Sequence, residues 1–208
     1  HESAIKAGDY ELTGNLSQIA LLDYLIKGNA KQNEIKFIEG WTFAQIRKVL
    51  NEHPAIEYKS AGLSDQQILQ HIGASETAVE GIFFPDTYYF IKGSSDLDIL
   101  QRAYKTMQNH LQNYWSERVE SLPLNTPYEA LILASIIEKE TGAESDRAEI
   151  AGVFINRLRK GMKLQTDPTV IYGLGEQFDG NLRKKDLLAD QEYNTYTRAG
   201  LPPTPISL

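Results

Sequence analysis

The chain has no cysteine, few histidines and no long apolar run, and each shortage removes a class of function. Without cysteine there is no disulfide, no thiol nucleophile and no cysteine-ligated zinc. The four histidines, His1, His53, His71 and His110, include no pair at metal-ligand spacing, so no metal site is expected. No apolar stretch reaches the length that spans a bilayer and no signal peptide is evident, so a soluble fragment or domain is expected. Phosphate-cradling glycine loops and the Gly-x-Ser-x-Gly elbow of serine hydrolases are missing too, and no cofactor is expected.

What is present leans acidic. Against 28 acidic residues stand 21 basic ones, a formal charge of −7 with no long run of either sign. Such a surface repels phosphate backbones and anionic headgroups, so nucleic acid is not an expected partner and a neutral or mixed-charge ligand fits better. At 208 residues the chain can bury a real core, and two small domains are expected.

The first part alternates. Gly8 to Leu12 reads as a strand, Leu16 to Ile26 has helical spacing with a stop at Gly28-Asn29, and Glu34 to Glu39 reads as a strand. Capping-box pairs at Thr42/Gln45 and Ser64/Gln67 open two helices, the second ending at Gly73. Together these make a small α+β module. Ile82 to Phe90 is dense in aromatics, which serve core packing more often than stacking on sugar faces. Asp96 to about Val119 spells a long scaffold helix.

The most informative segment follows. Thr126 is a good N-cap, Pro127 suits the first helical turn, Glu129 stands where a capping box wants an acid, and Gly142 marks a stop. Between them the residues are apolar almost all round, which predicts a helix surrounded by protein with a dry C-terminal end. An acid there faces the negative end of the helix dipole and loses hydration, and both effects favour its protonated, proton-donating form. Glu138 and Glu140 lie roughly 200° apart around a helix, so only one can enter a given site. Ile137, Ile136 and Leu133 precede Glu140 on its face, which favours Glu140 as the buried acid. The alternative is that both are solvated and paired with Lys139 or Arg147.

A further helix, with Arg147, Ala151, Phe154, Ile155 and Leu158 on one face, runs to Gly161. Beyond it regular spacing fades. Asp167, Pro168 and Gly173 bracket a short helix as cap, first residue and stop, while the segments around Tyr193 to Tyr196 and Leu201 to Ile206 read as loops. Polar and aromatic loops around a buried acid suit a carbohydrate cleft, and equally suit an ordinary surface.

Five ordered motifs then carry a resemblance: Ala134-Ser135-Ile136-Ile137-Glu138-Lys139-Glu140-Thr141, Val153-Phe154-Ile155-Asn156-Arg157-Leu158, Leu164-Gln165-Thr166-Asp167-Pro168-Thr169-Val170-Ile171-Tyr172-Gly173, Tyr193-Asn194-Thr195-Tyr196 and Gly200-Leu201-Pro202-Pro203. The chain resembles the endolytic murein transglycosylases, the YceG/MltG family, with Phe84-Pro85-Asp86-Thr87-Tyr88 similar to the family's linker. The resemblance implies an α+β fold: a LysM-like module over residues 1–80, then a mainly helical, lysozyme-like catalytic domain over 81–208 that is truncated at its C-terminus. It implies catalysis by Glu140, with Glu138 a structural acid. Gln165, Thr166, Asp167, Asn194 and Tyr196 are the candidates to hold the glycan, and Asn156 and Tyr172 stand behind them. It also implies peptidoglycan strands as substrate, peptidoglycan synthases or divisome proteins as partners, and a periplasmic location, anchored in the inner membrane by an N-terminal helix absent from this chain. Lytic chemistry needs one carboxylate where ordinary glycosidases need two. A hydrolytic muramidase would need a second acid such as Asp167 or Glu138. A non-catalytic peptidoglycan-binding or divisome scaffold protein is the alternative from another class.

Overall fold

Residues 12, 16–27 and 32–208 are described by the computed structural model of the protein. The strand expected from Gly8 lies outside them, apart from Leu12, as does the stop expected at Gly28-Asn29. The leading helix, α1 (Gln18–Lys27), starts two residues later than its spacing suggested.

A first cluster of buried side chains is built from β1 (Asn33–Lys36), α2 (Phe43–Glu52), β2 (Ile56–Glu57), α3 (Asp65–Ile72), β3 (Thr87–Phe90), β4 (Ser94–Ser95) and α4 (Asp96–Ser116). β1 pairs antiparallel with β3, setting Ile35 opposite Tyr88, and β2 pairs parallel with β4. Alternation turns Ile35, Phe37, Tyr88 and Phe90 inward, where helices α2, α3 and α4 bring Ile46, Leu50, Ile68 and Leu100. The dense aromatic stretch is packing material: Phe43 stacks on Phe83 at 5.3 Å, and Phe37 meets Tyr88 at 5.1 Å.

Both capping boxes contribute. The Thr42 amide donates to the Gln45 side chain (2.9 Å), and at α3 the Gln67 amide donates to the Ser64 hydroxyl (3.3 Å) while Gly73 closes the helix at φ +73°. At the head of α4 the fully buried Asp96 carboxylate accepts from the amides of Lys59 (2.9 Å) and Ser60 (3.2 Å), which ties the chain after β2 to this helix.

A second cluster, centred on Ile132, Leu133, Ile136, Phe154, Leu164 and Ile206, forms where α5 (Pro127–Glu140) and α6 (Glu144–Arg159) meet the C-terminal segment. α7 (Asp167–Leu174) and the short α8 (Lys184–Leu188) complete this half. The molecule is thus mixed α+β and mainly helical. The division expected between residues 80 and 81 cuts through the first cluster: Val79, Ile82 and Phe83 pack together, and β3 completes the sheet begun by β1.

The last residues bind the two clusters together. Leu208 pairs by backbone with Trp41 (2.8 Å) and Gly40 (3.0 Å), and the Ile206 amide donates to the Ser135 hydroxyl of α5 (3.0 Å). Gly81, at φ +75°, allows this crossing, since a Cβ there would stand 2.3 Å from Cβ of Pro205.

Candidate functional site

α5 begins at the expected cap, with Thr126 accepting from the Glu129 amide (3.1 Å) and Pro127 in the first turn, but the Glu129 carboxylate accepts from the Asn125 amide (2.6 Å) instead of closing a capping box on Thr126. Its end differs. The helix stops at Glu140 because Thr141 adopts an extended conformation (φ −142°, ψ 134°), whereas Gly142 has no left-handed φ. Burial of the two acids is also the reverse of expectation. Glu138 is the more sheltered and pairs with Arg147 of α6 at 2.8 Å, while Glu140 is exposed. The reason is α6, which folds back over the face of α5 that carries Glu138. Glu140 faces the segment before α7 instead.

That segment holds the Glu140 carboxylate directly. The Thr166 hydroxyl donates to Oε2 of Glu140 at 2.7 Å, although Thr166 is itself buried. Thr166 occupies the N-cap position of α7, so Asp167 is the first helical residue, not the cap that its sequence position suggested. Instead of capping, the Thr166 side chain reaches back to Glu140. Gln165 before it has φ +53°, the one left-handed non-glycine among the described residues, a conformation that costs on the order of 1–3 kcal/mol. This turn is held by amide bonds from Gln165 to the Thr195 carbonyl (3.1 Å) and from Thr166 to the Thr195 hydroxyl (3.1 Å), and by Arg157 donating to the Leu164 carbonyl.

Tyr196 joins the same group. Its hydroxyl donates to Oδ1 of Asp167 at 2.5 Å. Burial, and then the Asp167 carboxylate, push this phenol up to about 12, and the Glu140 carboxylate acts in the same direction. Tyr196 therefore remains a hydrogen-bond donor beside two carboxylates across the physiological range.

Of the residues named from sequence, Glu140, Thr166, Asp167 and Tyr196 converge, with exposed Gln165 adjoining them. Asn194 is corrected. It is 0% exposed, its amide donates to the carbonyls of Asp186 (3.3 Å), Leu187 (3.1 Å) and Ala189 (2.6 Å), and its carbonyl accepts from the Tyr196 amide (2.8 Å). With every polar atom turned inward, it holds the loop that presents Tyr196 rather than a ligand. Asn156 lies exposed on α6, away from these contacts.

Beside the group opens a cleft of about 780 Å³ between the start of α2 and α7, with Lys139, Pro168, Ile171, Tyr172 and Tyr193 in its walls. Sequence reasoning missed its buried acid. Glu80 is 8% exposed, and it accepts from the Phe43 amide (2.9 Å) and the Tyr172 hydroxyl (3.2 Å). Burial pushes its carboxyl above the usual glutamate range, against the lowering effect of those bonds. The available signal was a lone acid set between Val79 and the apolar run from Ile82. Thr195 was missed too, because its hydroxyl acts on a backbone rather than on a ligand. Gly173 is not a stop: it lies within α7, where a Cβ would come within 2.3 Å of the Gln191 amide.

The sequence profile of the YceG-like family matches residues 1–208. A Bacillus subtilis (strain 168) protein named endolytic murein transglycosylase is 32% identical over 223 residues, which cover 99% of this chain and 61% of that protein. A Streptococcus pneumoniae serotype 2 protein of the same name is 27% identical over 235 residues, covering 97% and 42% respectively. This chain therefore spans less than two thirds of the length of these relatives. The crystal structure of a YceG-like protein from Listeria monocytogenes superimposes with a TM-score of 0.70 at 32% identity, over 98% of this chain and 72% of that one.

Proposed function

Because this chain belongs to the YceG-like family, we propose that it cleaves peptidoglycan strands internally as a lytic transglycosylase, with Glu140 acting first as acid and then as base. The observation that carries this reading is the Glu140 carboxylate held by Thr166 at the end of α5, next in sequence to Lys139, which lines an open cleft.

In the proposed reaction, protonated Glu140 gives its proton to the glycosidic oxygen between MurNAc and GlcNAc. That bond breaks, the GlcNAc hydroxyl leaves, and positive charge develops at C1 of MurNAc. The C6 hydroxyl of the same sugar then closes on C1 and returns its proton to Glu140, giving a 1,6-anhydroMurNAc end with no water consumed. Glu140 is exposed in the free protein, so a strand lying across it would exclude water from the carboxyl. Thr166 fixes one carboxylate oxygen, Gln165 offers donors to sugar hydroxyls and N-acetyl groups, and the Tyr196 oxygen, whose one proton goes to Asp167, offers an acceptor.

The β1–α2–β2–α3–β3 order, with β1 and β3 antiparallel and only the two-residue β2 between the helices, supports a LysM-like unit as the glycan-holding part of the first cluster. A peptidoglycan substrate supports an extracytoplasmic location. Among the described residues no helix is long and apolar enough to cross a membrane; single-pass anchoring in the inner membrane belongs to the same proposal. Peptidoglycan synthases and divisome proteins are the proposed partners.

The hydrolytic alternative has one observation in its favour, the Asp167 carboxylate in the same group as Glu140. Product ends separate the two. Incubation with uncrosslinked peptidoglycan strands followed by mass spectrometry is expected to show anhydro ends, and Glu140→Gln is expected to lower their formation at least ~100-fold with the melting temperature unchanged. Reducing ends would establish the muramidase, and unchanged turnover in Glu140→Gln would remove the mechanism.

A further inference from the structure

The cleft beside Glu140 is one of two hollows that share a wall. The second, of about 390 Å³, is lined by Arg47, Asp65 and Val79, and Ala44, Glu80, Tyr172 and Tyr193 border both. In that wall stands the bond from the Tyr172 hydroxyl to Glu80 Oε2, while Oε1 of the same carboxylate accepts from the Phe43 amide in the first turn of α2. Tyr172 is braced on its other side by Tyr193, edge to face at 4.8 Å, and the Tyr193 hydroxyl shares a hydrogen bond with Thr204 (2.9 Å).

One carboxylate thus joins three pieces that the chain keeps far apart: the start of α2, the segment before Ile82, and α7, whose first turn carries Thr166 and Asp167. An acid that merely filled space here would be replaced to advantage by an apolar side chain, since burying a carboxylate is costly. Its two bonds instead hold the cleft wall at one spacing relative to the turn that grips Glu140.

Resting on the function proposed above, we infer that Glu80 is a positioning residue, which through Tyr172 sets the width of the cleft in which the sugar next to the cleaved bond is seated. It does not touch the reacting atoms. Its loss should weaken strand binding and raise KM, with a smaller change in kcat.

Binding is measured in the Glu140→Gln background, with uncrosslinked peptidoglycan strands as the probe and turnover suppressed. Glu80→Ala and Tyr172→Phe are each expected to raise Kd about tenfold, and the double variant no further, because both break the same bond. Glu80→Gln should recover Kd to within about threefold, since its amide can accept from Phe43 and donate to the Tyr172 oxygen. Tyr172→Phe removes a single hydroxyl, so it carries the test alone if Glu80→Ala does not fold. A Kd within twofold of the parent in Tyr172→Phe, additive losses in the double variant, or no strand binding by the parent would overturn the inference. Failure of the functional reading is a separate result: strands that bind with the expected pattern, while the unmodified protein generates no Glu140-dependent ends.

Discussion

The two halves of this molecule are held by different physics. From β1 to α4, order comes from apolar side chains meeting at regular spacing, and most of the elements there are legible from periodicity and caps. From α5 onward the centre is still apolar, yet the segments that make the site are irregular. They are fixed by side chains bonded to backbone: Thr195 to the turn at Thr166, Asn194 to three carbonyls, Arg157 to Leu164. Regular packing yields a stiff body, and hydrogen-bonded loops yield a shaped surface on which a strained residue such as Gln165 can be held.

The sharpest way to break that division is to damage the first half alone. Leu100→Ala removes a fully buried side chain that lines neither hollow, and should lower unfolding free energy by about 2–5 kcal/mol in urea titrations. Cleavage per folded molecule should stay the same, and a matching loss of turnover would show that the halves are not separable. Asn194→Ala strikes the other half, orphaning three carbonyls and the Tyr196 amide. A loss of about 1–3 kcal/mol is expected, this time accompanied by weaker cleavage at temperatures where the protein remains folded.

A smaller effect comes from Thr166→Val, which removes the hydroxyl on Glu140 at nearly constant volume. About a tenfold fall in kcat with unchanged melting temperature is expected, roughly 1.4 kcal/mol, and a fall in stability alone would make Thr166 a loop residue only.

The smallest concerns pH. Glu80 has a raised carboxyl in the folded state, so the folded protein keeps this proton to higher pH than the unfolded chain does. The stability it contributes is complete below the ordinary glutamate range, about 4.3, and is lost as pH climbs through the raised value. Asp65, Arg47, Tyr172, Lys139 and Glu176 also face these hollows and remain in place in the variant. Glu80→Gln should therefore flatten thermal stability across that window, with melting curves from acid to neutral pH as the check. An unchanged slope would mean that Glu80 keeps its charge throughout.

Much of the candidate site could be read from the chain because its motifs are local. The cap at Thr126, the two acids of α5 and the Thr166-Asp167 turn each lie within a few residues of one another. The errors arose where a distant segment decided the outcome. Glu140 looked buried because Leu133, Ile136 and Ile137 lie along its side of the helix, but which flank of α5 is covered depends on how α6 returns. Asn194 looked like a sugar ligand because loop amides so often are, and nothing local reveals three carbonyls converging on it. The place of β3 depends on distance in the same way, since it joins β1 through pairing rather than through neighbourhood.

The sequence by itself determined most of the helices and the N-caps at Thr42, Ser64 and Thr126, the absence of thiol chemistry, and the identity of the acid most worth testing, because these depend on residue type and spacing within a turn or two. Tertiary structure alone decided that Glu140 is open while Glu138 is paired, that Asn194 faces inward, and that Glu80 meets Tyr172 of α7 across 92 positions. Burial and pairing are properties of what comes to lie against a residue, and no pattern along the chain encodes a neighbour that arrives from so far away.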